Sequence, residues 1–147
     1  MACGEHIRKA VELYSDKIIN EWDYVDKSIL IFLFHKNGIA HCYDLSSFLT
    51  YVEGEDKVHL RCESLRDVGL IQIYDVKESF VKTVLYDLTD FGREVAKKII
   101  KHEEENGYPT TKKFIDRNLE FLKDIDGEEE TVLNLETIIN NLTIVKV

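Results

Sequence analysis

The feature that most constrains the fold of this chain is a change of periodicity near its middle. Val58, Cys62 and Leu65 recur at four- and three-residue steps, which is the spacing of one helical face. Gly69 follows, and glycine readily adopts the left-handed conformation that ends a helix. The spacing therefore predicts a helix over residues 57–68 that stops at a glycine.

A β pattern begins immediately after this glycine. Two runs are rich in β-branched, aromatic and other apolar side chains, and polar residues 75–79 separate them. The runs contain Leu70, Ile71 and Ile73, and then Val81, Val84, Leu85, Tyr86 and Leu88. Such runs are typical of paired strands, so the sequence predicts a β-hairpin over residues 70–88.

The N-terminal segment predicts a long amphipathic helix over residues 4–22. Its apolar residues recur at spacings of four, three, four and four, which places them on one stripe. The stripe consists of Ile7, Val11, Tyr14, Ile18 and Trp22. A stripe of this length needs a partner surface.

Two shorter helices are predicted between this segment and the periodicity change. The second helix starts at Asp26 or Ser28 and ends at the left-handed stop Asn37-Gly38. The third starts at Asp44 as its cap and runs to Val52, and an acidic loop follows.

Three more helices are predicted after the hairpin. Thr89 or Asp90 caps the first of them, which ends at the breaker in residues 106–109. Its apolar face consists of Phe91, Val95, Ala96, Ile99 and Ile100. The last two helices are predicted over residues 111–125 and 128–142.

Length and charge restrict the classes of protein to which the chain can belong. Its 147 residues suit one compact unit, and 44% apolar residues suffice for a core. The longest apolar run, Ile29–Phe34, is too short for a membrane span, and the N-terminus does not resemble a secretion signal, so we expect a soluble, cytoplasmic protein.

The net charge of the chain is -9, but residues 57–82 carry a net charge of +1. A basic surface for an anionic partner would have to be local.

The order of elements and their junctions closely resembles a winged helix-turn-helix domain. The motif residues are Leu65, Gly69, Leu70 and Ile71 at the end of the recognition helix, and Leu88, Thr89 and Gly92 after the wing. With its long leading helix and trailing helices, the chain is similar to the multiple-antibiotic-resistance regulator (MarR) family and, more loosely, to the PadR family. The resemblance implies a mainly α fold with a small β-hairpin wing and flanking dimerisation helices.

This resemblance also implies a division of the chain. Residues 1–25 would form a dimerisation helix and residues 26–105 the winged helix-turn-helix domain. Residues 106–147 would form C-terminal helices, used for dimerisation or for packing on the domain.

In this family the recognition helix lies in the DNA major groove and the wing contacts the backbone or minor groove. The resemblance therefore implies a transcriptional regulator that binds duplex DNA. The sequence contains no phosphate-binding glycine loop, no nucleophile elbow and no set of metal ligands, so we expect no catalytic activity, metal or cofactor. The candidate DNA contacts are Lys57, His59, Leu60, Arg61, Ser64, Lys77 and Lys82. Arg61 can pair bidentately with guanine, and Leu60 can touch a thymine methyl group.

The wing departs from the family's pattern. Where the family's wing has an Asp and an Arg, this chain has Phe80 and Lys82, so the resemblance assigns a contact with the DNA backbone only to Lys82.

The apolar stripes of the terminal helices predict a homodimer with two recognition helices about one DNA turn apart. The candidate interface residues are Ile7, Val11, Tyr14, Ile18, Trp22, Ile115, Leu119 and Leu122. The alternative is that these helices fold back on their own winged domain.

A second interpretation stays open for the function. The outward face of helix 57–68 also carries Glu63 and Asp67, which repel phosphate. The chain could instead be a protein-interaction module with Leu60 and Phe80 as apolar anchors. Cys62 is expected in the core, and a sensing role for Cys42 stays open.

Overall fold

A computed structural model of the chain describes residues 2–49, 55–78 and 81–122. In these ranges the chain forms six helices and three strands. They are α1 (Ala2–Glu21), α2 (Tyr24–Lys36), β1 (Ala40–His41), α3 (Cys42–Leu49), α4 (Glu55–Asp67), β2 (Ile71–Glu78), β3 (Val81–Leu88), α5 (Asp90–Glu105) and α6 (Pro109–Leu122). The predicted helix over 128–142, the predicted helix end at Val52 and the wing residue Phe80 lie outside the described residues. None of the described helices is both long and apolar enough to cross a bilayer.

The predicted passage from helix to hairpin is confirmed. After α4, Gly69 has a φ of 82°, in the left-handed region where a side chain is disfavoured. The backbone N–H of Leu70 donates to the carbonyl of Leu65 at 3.0 Å, which closes the end of the helix. Leu70 and Ile71 are then buried beneath the hairpin. The structure is a winged helix, mainly α with a small sheet.

The first hairpin strand is longer than predicted, whereas the second has the predicted extent. β2 and β3 pair antiparallel from Ile71 opposite Leu88 to Glu78 opposite Val81. The polar residues 75–78, expected to separate the strands, belong to β2. The ladder bonds are made by backbone groups, so an exposed strand continues through polar residues where its side chains face water.

The short strand β1 was not predicted from the sequence. Ala40 pairs with Tyr86 and His41 with Leu85, which adds β1 to the hairpin and gives the sheet order β1-β3-β2. Two residues are too few to show the alternation of apolar and polar side chains that predicts a strand.

Several predicted helix starts are also wrong. α2 begins after Asp23, whose Oδ1 accepts from the N–H groups of Val25 and Asp26 at 3.0 and 3.1 Å, so Asp23 and not Asp26 or Ser28 is the cap. α3 starts at Cys42, directly after β1, and Asp44 lies inside its first turn. α4 starts at Glu55 and α6 at Pro109, each two residues before the prediction.

The predicted helix ends and caps near the wing are confirmed. Asn37 stops α2 in the left-handed conformation, with a φ of 51°. The Thr89 hydroxyl oxygen accepts from the N–H of Gly92 at 2.9 Å and caps α5. The same hydroxyl donates to the Gly69 carbonyl at 2.7 Å, which ties the start of α5 to the end of α4.

The flanking helices share one core with the winged part. α1 packs along α5, with Val11 and Ile18 buried in the same cluster as Val95 and Ile99. Phe114 brings α6 into that cluster. The fold therefore places Val11 and Ile18 of the N-terminal stripe against the chain itself.

Candidate nucleic-acid interface

One face of α4 is exposed along its length. Lys57, Leu60, Ser64 and Asp67 follow each other at steps of three, four and three residues, and all are exposed. These residues are called the α4 stripe below. Leu60, at 61% exposure, is its most prominent apolar group. The opposite face, with Val58, Cys62 and Leu65, is buried as predicted.

Arg61, on the flank of the α4 stripe, contacts two carboxylates at the start of α2, those of the cap Asp23 and of Asp26. Its Nη1 lies 2.8 and 3.1 Å from the two Asp23 oxygens and 3.3 Å from Oδ2 of Asp26. The Arg61 side chain is only 26% exposed. In this conformation Arg61 is an internal ion-pair partner, which differs from the open cation expected from the sequence.

The two carboxylates respond differently to this environment. Burial would raise the pKa of Asp23, but the hydrogen bonds from the Asp26 N–H and Arg61 outweigh it and hold the pKa below its usual value. Burial, followed by the charge of Asp23, raises the pKa of Asp26 to about 6. Asp26 is therefore the carboxylate whose charge the fold disfavours.

The remaining charges of α4 are close to balanced. Arg66 lies 3.7 Å from Glu63 and 3.6 Å from Asp67. The helix contains four carboxylates and three cations, so its outer side is not a strongly basic surface. Ser64 donates its hydroxyl to the Leu60 carbonyl at 3.2 Å, which an exposed serine can exchange for another acceptor.

His59 points toward the sheet. Its Nδ1 lies 2.7 Å from the Tyr86 hydroxyl, and its Nε2 lies 3.4 Å from Oε1 of Glu63. Burial raises the pKa of Tyr86, so this hydroxyl stays protonated and can donate to His59. His59 therefore connects α4 to β3 and is only partly available to a ligand.

The wing carries two lysines at one position of the ladder. Lys77 and Lys82 are directly opposite each other in the β2–β3 register, and Lys77 is exposed. Lys77 is therefore a described cation of the wing that is open to an anionic ligand.

The cysteines are placed as follows. Cys62 is fully buried, as expected for a core residue, and burial raises its pKa to about 12. Cys42 is half-buried, and its sulfur lies 3.8 Å from Nδ1 of His41. Its sensing role stays a prediction.

In the described parts of the chain, no group of three or more His, Cys, Asp or Glu residues is arranged to hold a metal ion.

The predicted dimer residues fall into three groups. Val11 and Ile18 are buried in the single chain, so in this fold they offer no surface to a second copy. Tyr14, Trp22 and Ile115 keep part of their surface exposed, and Tyr14 packs edge-on against Phe91 at a ring distance of 5.4 Å. Ile7, Leu119 and Leu122 lie on described helices, but their side chains are outside the description, as is that of Lys82.

Asp23 was not among the predicted site residues, and Asp26 was predicted only as a helix start. The available signal was the spacing of Asp23 and Asp26, which is that of a cap and the third residue of its helix. That spacing indicates a helix N-terminus, but it does not reveal which cation would meet the two carboxylates.

Replacing Asp26 with asparagine is expected to stabilise the fold above about pH 6, by on the order of 2 kcal/mol. Because its pKa is raised to about 6, Asp26 is ionised at neutral pH against the preference of its site. The wild type recovers this stability as the pH falls, and the recovery is complete near the unfolded pKa of about 3.9. Urea unfolding from about pH 7.5 to pH 4 should show the advantage of the variant closing across that window.

Asp16→Asn is the matched control, since Asp16 is exposed on α1. It should give no such pH-dependent advantage. An Asp26→Asn variant that is no more stable than the wild type at neutral pH would contradict the raised pKa.

Comparison with known proteins gives similarity only at the level of the fold. No protein family and no curated protein matches the sequence. The adhesin competence repressor AdcR from Streptococcus pyogenes is 19% identical, with a TM-score of 0.48 over 93% of this chain and 98% of that one. Bacillus subtilis PadR in complex with operator DNA is 13% identical, with a TM-score of 0.43 over 80% of this chain and 93% of that one. A mutant MarR from E. coli, complexed with operator DNA, is 15% identical, with a TM-score of 0.44 over 97% of this chain and 94% of that one.

Proposed function

We propose that this chain is a winged-helix transcriptional regulator, in which α4 enters the major groove of duplex DNA and the β2–β3 hairpin lies against the phosphate backbone. The observation that carries the proposal is the α4 stripe. The stripe is exposed on one face of α4, and the opposite face of this helix is buried in the core. The β2–β3 hairpin follows α4 directly in the chain. A rigidly held helix with one open face is the element that a major groove admits.

The side chains in this region suit distinct roles on DNA. Lys57 at the start of α4 and the lysine pair of the wing would neutralise phosphates. Ser64 would donate to a phosphate or a base edge, and Leu60 would contact a thymine methyl group. The region is nearly neutral in net charge, so we expect binding to depend on these few contacts and not on general attraction.

A homodimer is part of the proposal, because two-fold symmetry would present two copies of α4 to successive turns of one duplex. The partly exposed Tyr14, Trp22 and Ile115 are the described candidates for this contact. Leu13, which is 71% exposed beside Tyr14 on α1, adds apolar surface to it.

Reversing the charge of the lysine pair, with Lys77→Glu and Lys82→Glu, is expected to weaken duplex binding about tenfold or more and to reduce the salt slope by about 1.8 per subunit. The reason is that each lost phosphate contact removes about 0.9 from the slope of log K against log salt. Fluorescence anisotropy with a labelled duplex of about 30 base pairs, three turns of DNA, measures both quantities at several salt concentrations.

The matched control is Lys98→Glu with Lys101→Glu, two exposed lysines on α5 outside the proposed interface. It makes the same change of net charge but should leave the slope within about 0.5 of the wild type. Equal slopes for the wing variant and the wild type would remove the hairpin from the interface.

A second candidate function is favoured by one observation. Arg61 and Arg66 are both held by carboxylates, while Leu60 is the open apolar group between them and Lys57. This arrangement also suits a protein-docking face with Leu60 as its anchor. Under this alternative the wild type binds no duplex even at about 0.05 M salt, where electrostatic attraction is strongest.

A further inference from the structure

We propose that Asp23 and Asp26 form an autoinhibitory latch on Arg61, which holds this cation away from DNA until the carboxylates are neutralised. The inference rests on the proposed function, since it names the residues that would regulate α4. The latch consists of the start of α2 on one side and the flank of the α4 stripe on the other.

The latch is anchored from the α2 side. Oδ1 of Asp23 accepts three donors: the N–H groups of Val25 and Asp26, and Nη1 of Arg61. The two N–H bonds and the positive end of the α2 dipole fix the Asp23 carboxylate in place. Arg61 therefore meets a preorganised anion, which needs no rearrangement to hold it.

The latch competes directly with nucleic acid. Nη1 of Arg61 contacts three carboxylate oxygens, which neutralise the guanidinium charge and hold the side chain against the start of α2. A phosphate or a guanine edge on the exposed side of α4 would have to draw the guanidinium away from these oxygens. Arg61 follows Leu60, so on release its guanidinium could swing to the exposed side of α4. One cation would then be added to a face that has few.

The groups that surround Asp26 identify the part of the latch that can open. They are Asp23 on its own helix, and Arg61 and Cys62 on α4. Asp26 has a pKa of about 6, so it loses its charge on mild acidification, while Cys62, with a pKa of about 12, stays a neutral thiol. Acidification therefore removes one of the two anions that hold Arg61.

The test compares duplex binding by the wild type and by the Asp23→Asn, Asp26→Asn double variant at about pH 7.5. Asparagine keeps the oxygen that caps α2, so the helix start is retained. The double variant should bind about tenfold more tightly, and its salt slope should be steeper by about 0.9 per subunit, which is one additional phosphate contact for each Arg61. Placed in an Arg61→Gln background, the same two changes should tighten binding by about twofold or less and leave the slope unchanged, because the group that they release is absent.

Glu94→Gln with Glu104→Gln is the matched control, since it removes two exposed carboxylates from α5 and gives the same net charge. It should tighten binding by about twofold or less and leave the slope unchanged. Asp26→Asn alone keeps the Asp23 cap untouched and should shift binding in the same direction by a smaller amount. As the pH falls from about 7.5 to 5.5, affinity should rise more for the wild type than for Asp26→Asn, which lacks the titrating group.

The outcomes separate the latch from the proposed function. If the wild type binds duplex and the double variant matches the α5 control, the latch is overturned and DNA binding stands. If the double variant tightens binding equally in the Arg61→Gln background, the effect is general electrostatics, and the latch is again overturned. If neither the wild type nor any variant binds duplex at about 0.05 M salt, the proposed function fails and the latch fails with it.

Discussion

Replacing Gly92 with alanine should destabilise the chain by about 4 kcal/mol or more, enough to prevent folding of a marginally stable domain. A Cβ at this position would lie 1.8 Å from the carbonyl oxygen of Leu70 and 2.8 Å from its carbonyl carbon. That carbonyl cannot move freely, because it accepts from the N–H of Thr89 at 3.1 Å. Circular dichroism during thermal unfolding should show loss of the cooperative transition or a large decrease in Tm.

Gly38→Ala is the control for this substitution. A Cβ at Gly38 would meet no atom within 4 Å, and its backbone is outside the left-handed region. Its effect should stay within about 0.5 kcal/mol. A Gly92→Ala variant that unfolds like the wild type would mean that α5 does not approach the start of the hairpin this closely.

Replacing Ile18 with alanine should cost about 2 to 5 kcal/mol, the range for large-to-small changes in a core. Ile18 is fully buried on α1 within the single chain, where it joins the cluster that contains Ile99. Because the lost contacts lie within one chain, the loss should be the same at every protein concentration. Urea unfolding at concentrations that span about a hundredfold range measures this directly.

The control is Leu13→Ala on the same helix, since Leu13 is 71% exposed. In a monomer its effect should be small. A loss that appears for Ile18→Ala only at high protein concentration would instead assign the α1 stripe to an interface between copies. A loss for Leu13→Ala that depends on concentration would place the outer side of α1 in the proposed dimer.

The fold was predictable where one local signal dominated. Gly69 precedes the wing and ends α4 through its own backbone conformation, and Thr89 follows the wing and caps α5 through its hydroxyl group. Both roles could be predicted from the neighbouring residues alone. The same holds for the buried face of α4, which a spacing of three and four residues defines. The extra strand β1 was not predictable, because two residues pair with β3 only after the hairpin has formed.

The candidate site was predictable in its position and less so in its chemistry. The α4 stripe is exposed where the helical spacing placed it, and Lys77 and Lys82 lie on the hairpin as expected. The engagement of Arg61 was missed, because Asp23 precedes it by 38 residues and no local pattern links them. His59 was predicted as a DNA contact, and its hydrogen bond with the Tyr86 hydroxyl of β3 was likewise missed.

The amino-acid sequence by itself determined the order of the main elements, the junction between α4 and the wing, and the residues that face the core. These follow from periodicity, caps and glycine conformations, which act between residues a few positions apart. Only the tertiary structure decided that the α1 stripe packs on α5 and that the carboxylates of α2 hold Arg61. Both are contacts between segments that are distant in the sequence. Hydrophobic burial and ion pairing depend on distance in space and not on separation along the chain, so the residues around an apolar stripe or a charged group do not show which surface it will contact.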